Sequence, residues 1–184
     1  MKPNTALLVM DMQQGILGMY PHSSNILPSI KKAIEFARNN HIQVIFVRVG
    51  FREGIPEVGM NNSSFALIKE RIVDLNQEEW MKIDASLAPL PNDLVVTKRR
   101  FSAFTGSDLE VILRANQIHH LVLTGISTSG VVLSTLREAA DKDYKITVLS
   151  DACYDGDAEV HQVLVNKVFT RQAEVISTET WTKV

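Results

Sequence analysis

Short β-branched apolar runs alternate with helical patterns along almost the whole chain, and this alternation restricts the fold more than any other feature. "TALLVM" (Thr5–Met10), "QVIFVRV" (Gln43–Val49), "DLVVTK" (Asp93–Lys98), "HLVLTG" (His120–Gly125), "KITVLSDA" (Lys145–Ala152) and "AEVIS" each read as a strand. Unbroken apolar runs of that length belong to strands covered on both faces, which is the condition of a parallel sheet between helices. The intervening stretches carry helical periodicity. In "NILPSIKKAIEFARNN", Ile26, Ile30, Ala33, Ile34 and Ala37 fall on one face. "SDLEVILRANQI" opens with Ser107 and Glu110 spaced as a capping box, a further helix is expected over Gly130–Asp143, and Asp157 is placed to cap one running to about Phe169. The fold expected is a three-layer α/β/α sandwich, Rossmann-like, with a six-stranded, mainly parallel sheet.

The region Gly50–Asn92 departs from this rhythm, being irregular and rich in Asn, Pro and acidic residues. An excursion of that length is usually a lid, a partner-binding segment or both. With 184 residues the chain is expected to be one domain, 1–184, burying roughly 70% of its unfolded surface. The net charge of -2 gives no reason to expect nucleic acid or an anionic membrane as partner. The first apolar run, Ala6–Met10, ends at Asp11 after five residues, too short for a signal-peptide core or a membrane span. Cys153 is the single cysteine, so no intrachain disulfide forms, and a cytoplasmic location is the simplest expectation.

In open α/β sheets, ligands bind beyond the carboxyl ends of the strands, where strand order reverses. Three loops therefore matter. Asp11 ends the first strand in "VMDMQQG", as an acid–base group or as a cap of the following turn. Lys98 ends the third in "VVTKRRFSAF", as a site lysine or a solvated charge, with Phe101 and Phe104 beside it as pocket wall or as core. After Gly125 comes "ISTSG", whose small residues permit close approach to a ligand and leave backbone N–H groups free at a helix start.

Together these loops resemble the isochorismatase-like, or cysteine hydrolase, superfamily. The resemblance covers essentially the whole chain and rests on four blocks in order: "ALLVMDMQ", "KRRFSAFTGSDLEVILR", "LVLTGISTSGVVLSTLREAADKDY" and "ITVLSDACYDGDAEVH". It implies a small-molecule hydrolase that assembles as a dimer or tetramer and uses an aspartate, a lysine and a cysteine. The aspartate maps to Asp11 and the lysine to Lys98. The cysteine position, seventh from the glycine that opens the turn, maps to Val131. The resemblance also implies a cis peptide at Ile126–Ser127, with the amides of Ser127 and Val131 turned toward a substrate oxygen. Ser127, Thr128, Gly130 and Phe104 are then expected to contact substrate.

Valine has no lone pair, so attack by a thiolate is closed at position 131. Cys153 lies more than twenty residues further on and reads as a small buried thiol. The order Ser127, Asp151, His161 matches that of an α/β-hydrolase triad, but Ser129 stands where the second glycine of the nucleophile elbow belongs. Isochorismatases proper, within the same superfamily, also lack the cysteine; their aspartate protonates an enol carbon, and water captures the resulting cation. They carry a tyrosine and a histidine where this chain has Ser127 and Ser129, which speaks against isochorismate itself. The expected function is hydrolysis of a small organic molecule with Asp11 as general acid or base and Lys98 as electrostatic partner. The alternative is a catalytically degenerate member that binds a small molecule or a partner.

Nicotinamidases of the superfamily hold a metal through an aspartate and two histidines after strand two, whereas "VGFREGIPEVGMNNSSF" contains no histidine. Neither metal-ligand spacing nor a nucleotide-binding glycine motif occurs, so no metal and no cofactor are expected. His119 and His120 read as solvent contacts at the opposite end of the sheet; Arg52 with Glu53, and Arg99 with Arg100, read as solvated ion-pair groups or as contacts to a carboxylate ligand or a neighbouring subunit.

Overall fold

The computed structural model describes residues 4–183. Its six strands are β1 (Thr5–Met10), β2 (Gln43–Val49), β3 (Leu94–Lys98), β4 (His120–Ile126), β5 (Lys145–Tyr154) and β6 (Glu174–Ile176). They form one sheet in the order β3-β2-β1-β4-β5-β6, and every pairing is parallel. The chain works outward from β1 in one direction, then crosses over and works outward in the other. The reversal between β1 and β4 opens a crevice at their carboxyl ends. Asp11 follows β1 at that crevice, and the turn after Gly125 follows β4.

Helices cover both faces: α1 (Gln14–Leu17), α2 (Leu27–Asn39), α3 (Ser63–Ile72), α4 (Gln77–Trp80), α5 (Leu109–Ala115), α6 (Leu133–Asp141), α7 (Ala158–Val163) and α8 (Thr178–Trp181). Successive strand side chains point to opposite faces, and β1 divides accordingly. Ala6, Leu8 and Met10 enter the apolar layer shared with Leu109, Leu113, Val132 and Leu136. Leu7 and Val9 enter the layer shared with Ile30, Ile34, Ala37 and Trp181. A third cluster, Val49, Phe51, Ile55, Val58, Phe65, Ile72 and Trp80, sits over the end of β2. It is built almost entirely by the Gly50–Asn92 excursion, which thus has an apolar core of its own.

The excursion is fastened by polar contacts. Arg52 Nη1 pairs with Glu57 at 2.8 Å, Arg100 donates to the Glu57 carbonyl at 2.7 Å, and Lys69 donates to the Ile55 carbonyl at 2.9 Å. Glu57, and not Glu53, is the partner of Arg52. Chain distal to β1 also holds it down: Gln14 N–H donates to Lys82 O at 2.8 Å and Asp84 N–H to Met12 O at 3.0 Å.

Several local expectations are corrected. Ser107 and Glu110 do not close a capping box: the Ser107 hydroxyl donates to Ala103 O at 2.6 Å and accepts from Leu109 N, while Glu110 turns out to Lys142 at 2.7 Å. The helix expected from Gly130 begins instead as a wide π-type turn, Thr128–Val132, that tightens into α6. β5 runs two residues past Ala152. Asp157 does cap α7, accepting from Glu159 N and Val160 N, but the helix widens at Leu164–Val168 before Phe169. His120 is no mere solvent contact, since its Nε2 lies 2.9 Å from Thr147 Oγ1.

Gly125 is the residue on which the crevice turns. It pairs with Met10 across the β1–β4 ladder, has φ of +131°, and a Cβ there would lie 2.0 Å from the Met10 carbonyl oxygen. Neither the backbone angle nor the space admits a side chain. Gly125→Ala is therefore expected to destabilise the fold by about 2–4 kcal/mol, read as a lower urea midpoint at unchanged slope; a shift within ~0.5 kcal/mol would refute this account.

Candidate active site

At the crevice lies a cavity of about 370 Å³ lined by Asp11, Lys98, Ile126, Ser127, Gly130 and Val131 from the sheet, and by Phe65, Ile68, Arg71 and Trp80 from the excursion. This volume is near the lower end of the range for small-molecule sites. Val49, Phe101, Ile16, Met19 and Tyr20 complete its walls.

Asp11 and Lys98 reach each other across the end of β2. Lys98 is the last residue of β3 and stands in register with Val49. Its Nζ lies 2.8 Å from Asp11 Oδ2, with both side chains almost wholly buried. Lys98 also donates to the Arg100 carbonyl at 2.9 Å. Asp11 has φ of +56°, and its N–H donates to Val47 O at 2.7 Å, so the backbone leaves the ladder while still anchored to β2. Among the described residues, Asp11 Oδ1 is buried and has no hydrogen-bond partner. Burial, the largest influence on this carboxyl, raises its pKa above the ordinary aspartate value, and the attraction and hydrogen bond of Lys98, with a smaller contribution from the Val49 backbone N–H, offset that only in part.

The third member of the crevice is the turn after β4. The Ile126–Ser127 peptide is cis, as the resemblance implied. Ser127 O accepts from Gly130 N and Val132 N, and the Ser129 amide donates to Asp155 Oδ2 at 2.7 Å. Val131 is buried in the cavity wall. The structure thus brings Asp11, Lys98, Ser127, Gly130 and Val131 to one cavity.

Two residues expected at substrate are elsewhere. Phe104 lies in the core under α5 and α6, its ring 6.0 Å from that of Tyr144. Phe101 takes the place at the cavity, edge-on to Phe65 at 4.8 Å. Their spacing of three residues spans a loop closed by Arg99 N–H to Thr105 O, and the closure sends the two rings apart. Thr128 is fully buried, and its hydroxyl meets His161 Nδ1 at 2.8 Å behind the turn. The serine-triad arrangement is not assembled: Asp151 accepts from Thr178 and Ser29, and His161 is engaged by Thr128 and not by Ser127. Cys153 is buried outside the cavity, its Sγ facing Leu123 O, and burial pushes its pKa up to about 12. It is an inert thiol.

Sequence reasoning passed over Gln13. Its side chain is fully buried and donates to Val49 O at 3.0 Å and Trp80 O at 3.2 Å, while accepting from Val49 N at 2.9 Å. One amide thereby joins the segment after β1, the end of β2 and the excursion. The only trace in the sequence is an amide side chain two residues beyond Asp11. Phe65, Ile68, Arg71 and Trp80 were hidden because the excursion has no strong period. Among the described residues, no three His, Cys, Asp or Glu side chains group as a metal site, and no helix is long and apolar enough to cross a membrane.

An open parallel sheet with a small, mostly apolar cavity at its switch point, floored by a buried carboxylate–ammonium pair, defines an α/β protein with a small-molecule site. The chain belongs to the isochorismatase family: the family model described as Isochorismatase domain matches residues 5–180. It is 34% identical over 179 residues to the uncharacterized isochorismatase family protein YecD of Escherichia coli O157:H7, covering 95% of this chain and 93% of that one. It is 33% identical over 181 residues to the ureidoacrylate amidohydrolase RutB of Yersinia enterocolitica, covering 86% and 78%. The crystal structure of an isochorismatase family protein from Burkholderia thailandensis superposes with a TM-score of 0.82 at 28% identity, over 97% and 94% of the two chains.

The raised pKa of Asp11 has a consequence for stability. The folded protein keeps this proton at pH values where the unfolded chain has lost it. Asp11 therefore stabilises the fold most below the unfolded value of 3.8, and that contribution is lost as pH rises through the folded pKa. In the difference between wild type and Asp11→Asn urea midpoints, the wild type is expected to lose ground as pH rises above 3.8. A difference that is flat, or that favours the wild type increasingly with pH, would show that Lys98 and not burial governs the carboxyl.

Proposed function

We propose that this isochorismatase-family hydrolase cleaves a small organic molecule without a covalent enzyme intermediate, with Asp11 as the proton donor and Lys98 as its electrostatic partner. The observation that carries this reading is the division of labour on one carboxyl group: Oδ2 is bound by Lys98 while Oδ1 is buried and unpartnered. A proton on Oδ1 finds no competing acceptor among the described residues and is available to a molecule in the cavity. Val131, standing where the family pattern places cysteine, supplies apolar wall and no nucleophile. The amides of Ser127 and Val131 are assigned to the oxygen of the leaving group.

The linkage that fits such a site is an enol ether. Transfer of the Asp11 proton to the terminal alkene carbon leaves an oxocarbenium ion. Water adds to the cationic carbon and gives up a proton, and the hemiketal collapses to an alcohol and a ketone, with the carboxylate reprotonated. Lys98 holds the carboxylate formed in the first step. Neither thiol nor metal is consumed. Amide hydrolysis of the kind named for RutB has no nucleophile at position 131 to start it.

A second reading, a member that binds a small molecule without turning it over, is favoured by Val131 alone. A single domain over 1–184 that assembles as a homo-oligomer completes the proposal.

A screen of amides, esters and enol ethers is expected to reveal turnover of enol ethers, with one deuterium in the product methyl group when run in D2O. Asp11→Asn should lower kcat by about 10²–10⁴-fold with the fold retained. Undiminished turnover by Asp11→Asn would overturn the mechanism, and binding with no turnover of any class would establish the second reading. Val131→Cys is expected to confer measurable activity on the amide panel; none would count against an anion site ready-made in the turn.

A further inference from the structure

Thr128 opens the wide turn Thr128–Val132 and is wholly buried. Among the described residues its hydroxyl has a single hydrogen-bond partner, His161 Nδ1 at 2.8 Å. A threonine hydroxyl carries one hydrogen, and a neutral imidazole has one nitrogen that donates and one that accepts. Were Nδ1 the donor, the buried hydroxyl hydrogen would be left without an acceptor. The bond therefore assigns Nδ1 as acceptor and puts the ring hydrogen on Nε2. His161 belongs to α7, none of whose residues is fully buried. Two side-chain bonds fasten the turn to the chain after β5: this one, and Ser129 N–H donating to Asp155 Oδ2 at 2.7 Å.

The half-buried ring also lines a second cavity, of about 460 Å³, which shares no lining residue with the first. Asp151 of β5 lines it too, and the rest of its lining is uncharged. Asp155, ahead of α7, is the charge that acts on the ring; Asp157 is turned to the amides of Glu159 and Val160, and the turn itself has no titratable side chain. Burial holds the His161 pKa below the ordinary value of 6.5, an effect that Asp155 offsets in part. As pH falls, the unfolded chain takes up this proton first. The stability that the neutral ring gives above 6.5 is thus lost as pH falls through the folded pKa.

We propose that His161 is a positioning residue outside the catalytic cavity: its neutral ring, as acceptor of the Thr128 hydroxyl, holds the turn that presents the Ser127 and Val131 amides, and a second ring proton releases that turn. The task given to those amides rests on the functional reading above, whereas the hold of His161 on the turn does not. In the charged ring both nitrogens donate, so the Thr128 hydrogen loses its acceptor in a place that water does not reach. Turn and helix must part to satisfy it.

Nuclear magnetic resonance of the isotopically labelled full-length protein tests this without substrate. His161 is expected in the Nε2–H tautomer at neutral pH, with the Ser127 and Val131 amide resonances moving at the apparent pKa of its ring. The same titration in Asp11→Asn removes the carboxyl that shares the first cavity with those amides. His161→Asn offers an amide oxygen near the place of Nδ1 that takes up no proton, and should abolish the movement. His161→Leu offers no acceptor, and at neutral pH the Gly130 and Val132 amides, which donate to Ser127 O, should exchange with solvent at least about tenfold faster than in wild type or His161→Asn. An Nδ1–H tautomer, amides indifferent to the ring, movement that persists in His161→Asn, or protection undiminished in His161→Leu overturns the proposal; the tautomer and the wild-type titration decide it even if a variant does not fold. Turnover of enol ethers should fall as the ring takes up its proton and lose that fall in His161→Asn; a fall unaltered by the substitution overturns it equally. Absence of any hydrolysis counts against the functional reading alone, since the resonance and exchange measurements need no turnover.

Discussion

The site depends on one interaction that proteins normally avoid, a carboxyl and an ammonium group paired out of water. Burying a carboxylate and an ammonium costs several kcal/mol for each ion, and their attraction repays this only where geometry and surrounding hydrogen bonds are good. Lys98 meets the requirement, with Asp11 Oδ2 at 2.8 Å and the Arg100 carbonyl at 2.9 Å. Asp11 does not, since Oδ1 is left without a partner. The imbalance falls on the group that the proposed mechanism asks to carry a proton. A well-packed apolar pair would be easier to bury, so the pair is a poor source of stability.

The sheet determines where that pair sits. Because the strand order reverses between β1 and β4, the chain leaving β1 and the chain leaving β4 diverge and leave an opening. Lys98 arrives from two strands away, at the end of β3, and can cross only because β2 ends level with it at Val49. Gln13 then locks Val49 and Trp80 to the segment that carries Asp11. The floor is therefore made by regular structure, and the roof by an excursion with its own apolar cluster. Rigid floor and separately packed roof give such a cavity a fixed chemistry and a variable specificity.

How much of this was legible in the sequence follows from the physics of each part. Strands covered on both faces leave continuous apolar runs, so β1 to β5 were readable to within two residues and their carboxyl ends pointed to Asp11 and Lys98. The turn was readable because small residues are scarce elsewhere in such a helix start. The roof was not, since its side chains meet by packing among short irregular pieces. Phe101 and Phe104 show the limit: both follow Lys98 closely, and which ring faces the cavity depends on the loop's folded path, closed by the backbone bond from Arg99 to Thr105 and fixed to α6 by Ala103 N–H donating to Thr135 Oγ1. Ser107 and Glu110 show another, because a capping pattern competes with other partners, and Lys142 won Glu110.

Val131 answers the question that its position raises. A thiol there would place a second ionisable group beside a carboxyl already short of solvation, and its nucleophilic form would need a proton acceptor close by. An isopropyl group removes that demand and keeps the wall dry. Low local dielectric favours the protonated carboxyl, and a protonated carboxyl is what a reaction initiated by proton transfer to substrate requires. On the proposed reading, an inert side chain at position 131 and a proton-bearing carboxyl at position 11 are compatible parts of one site.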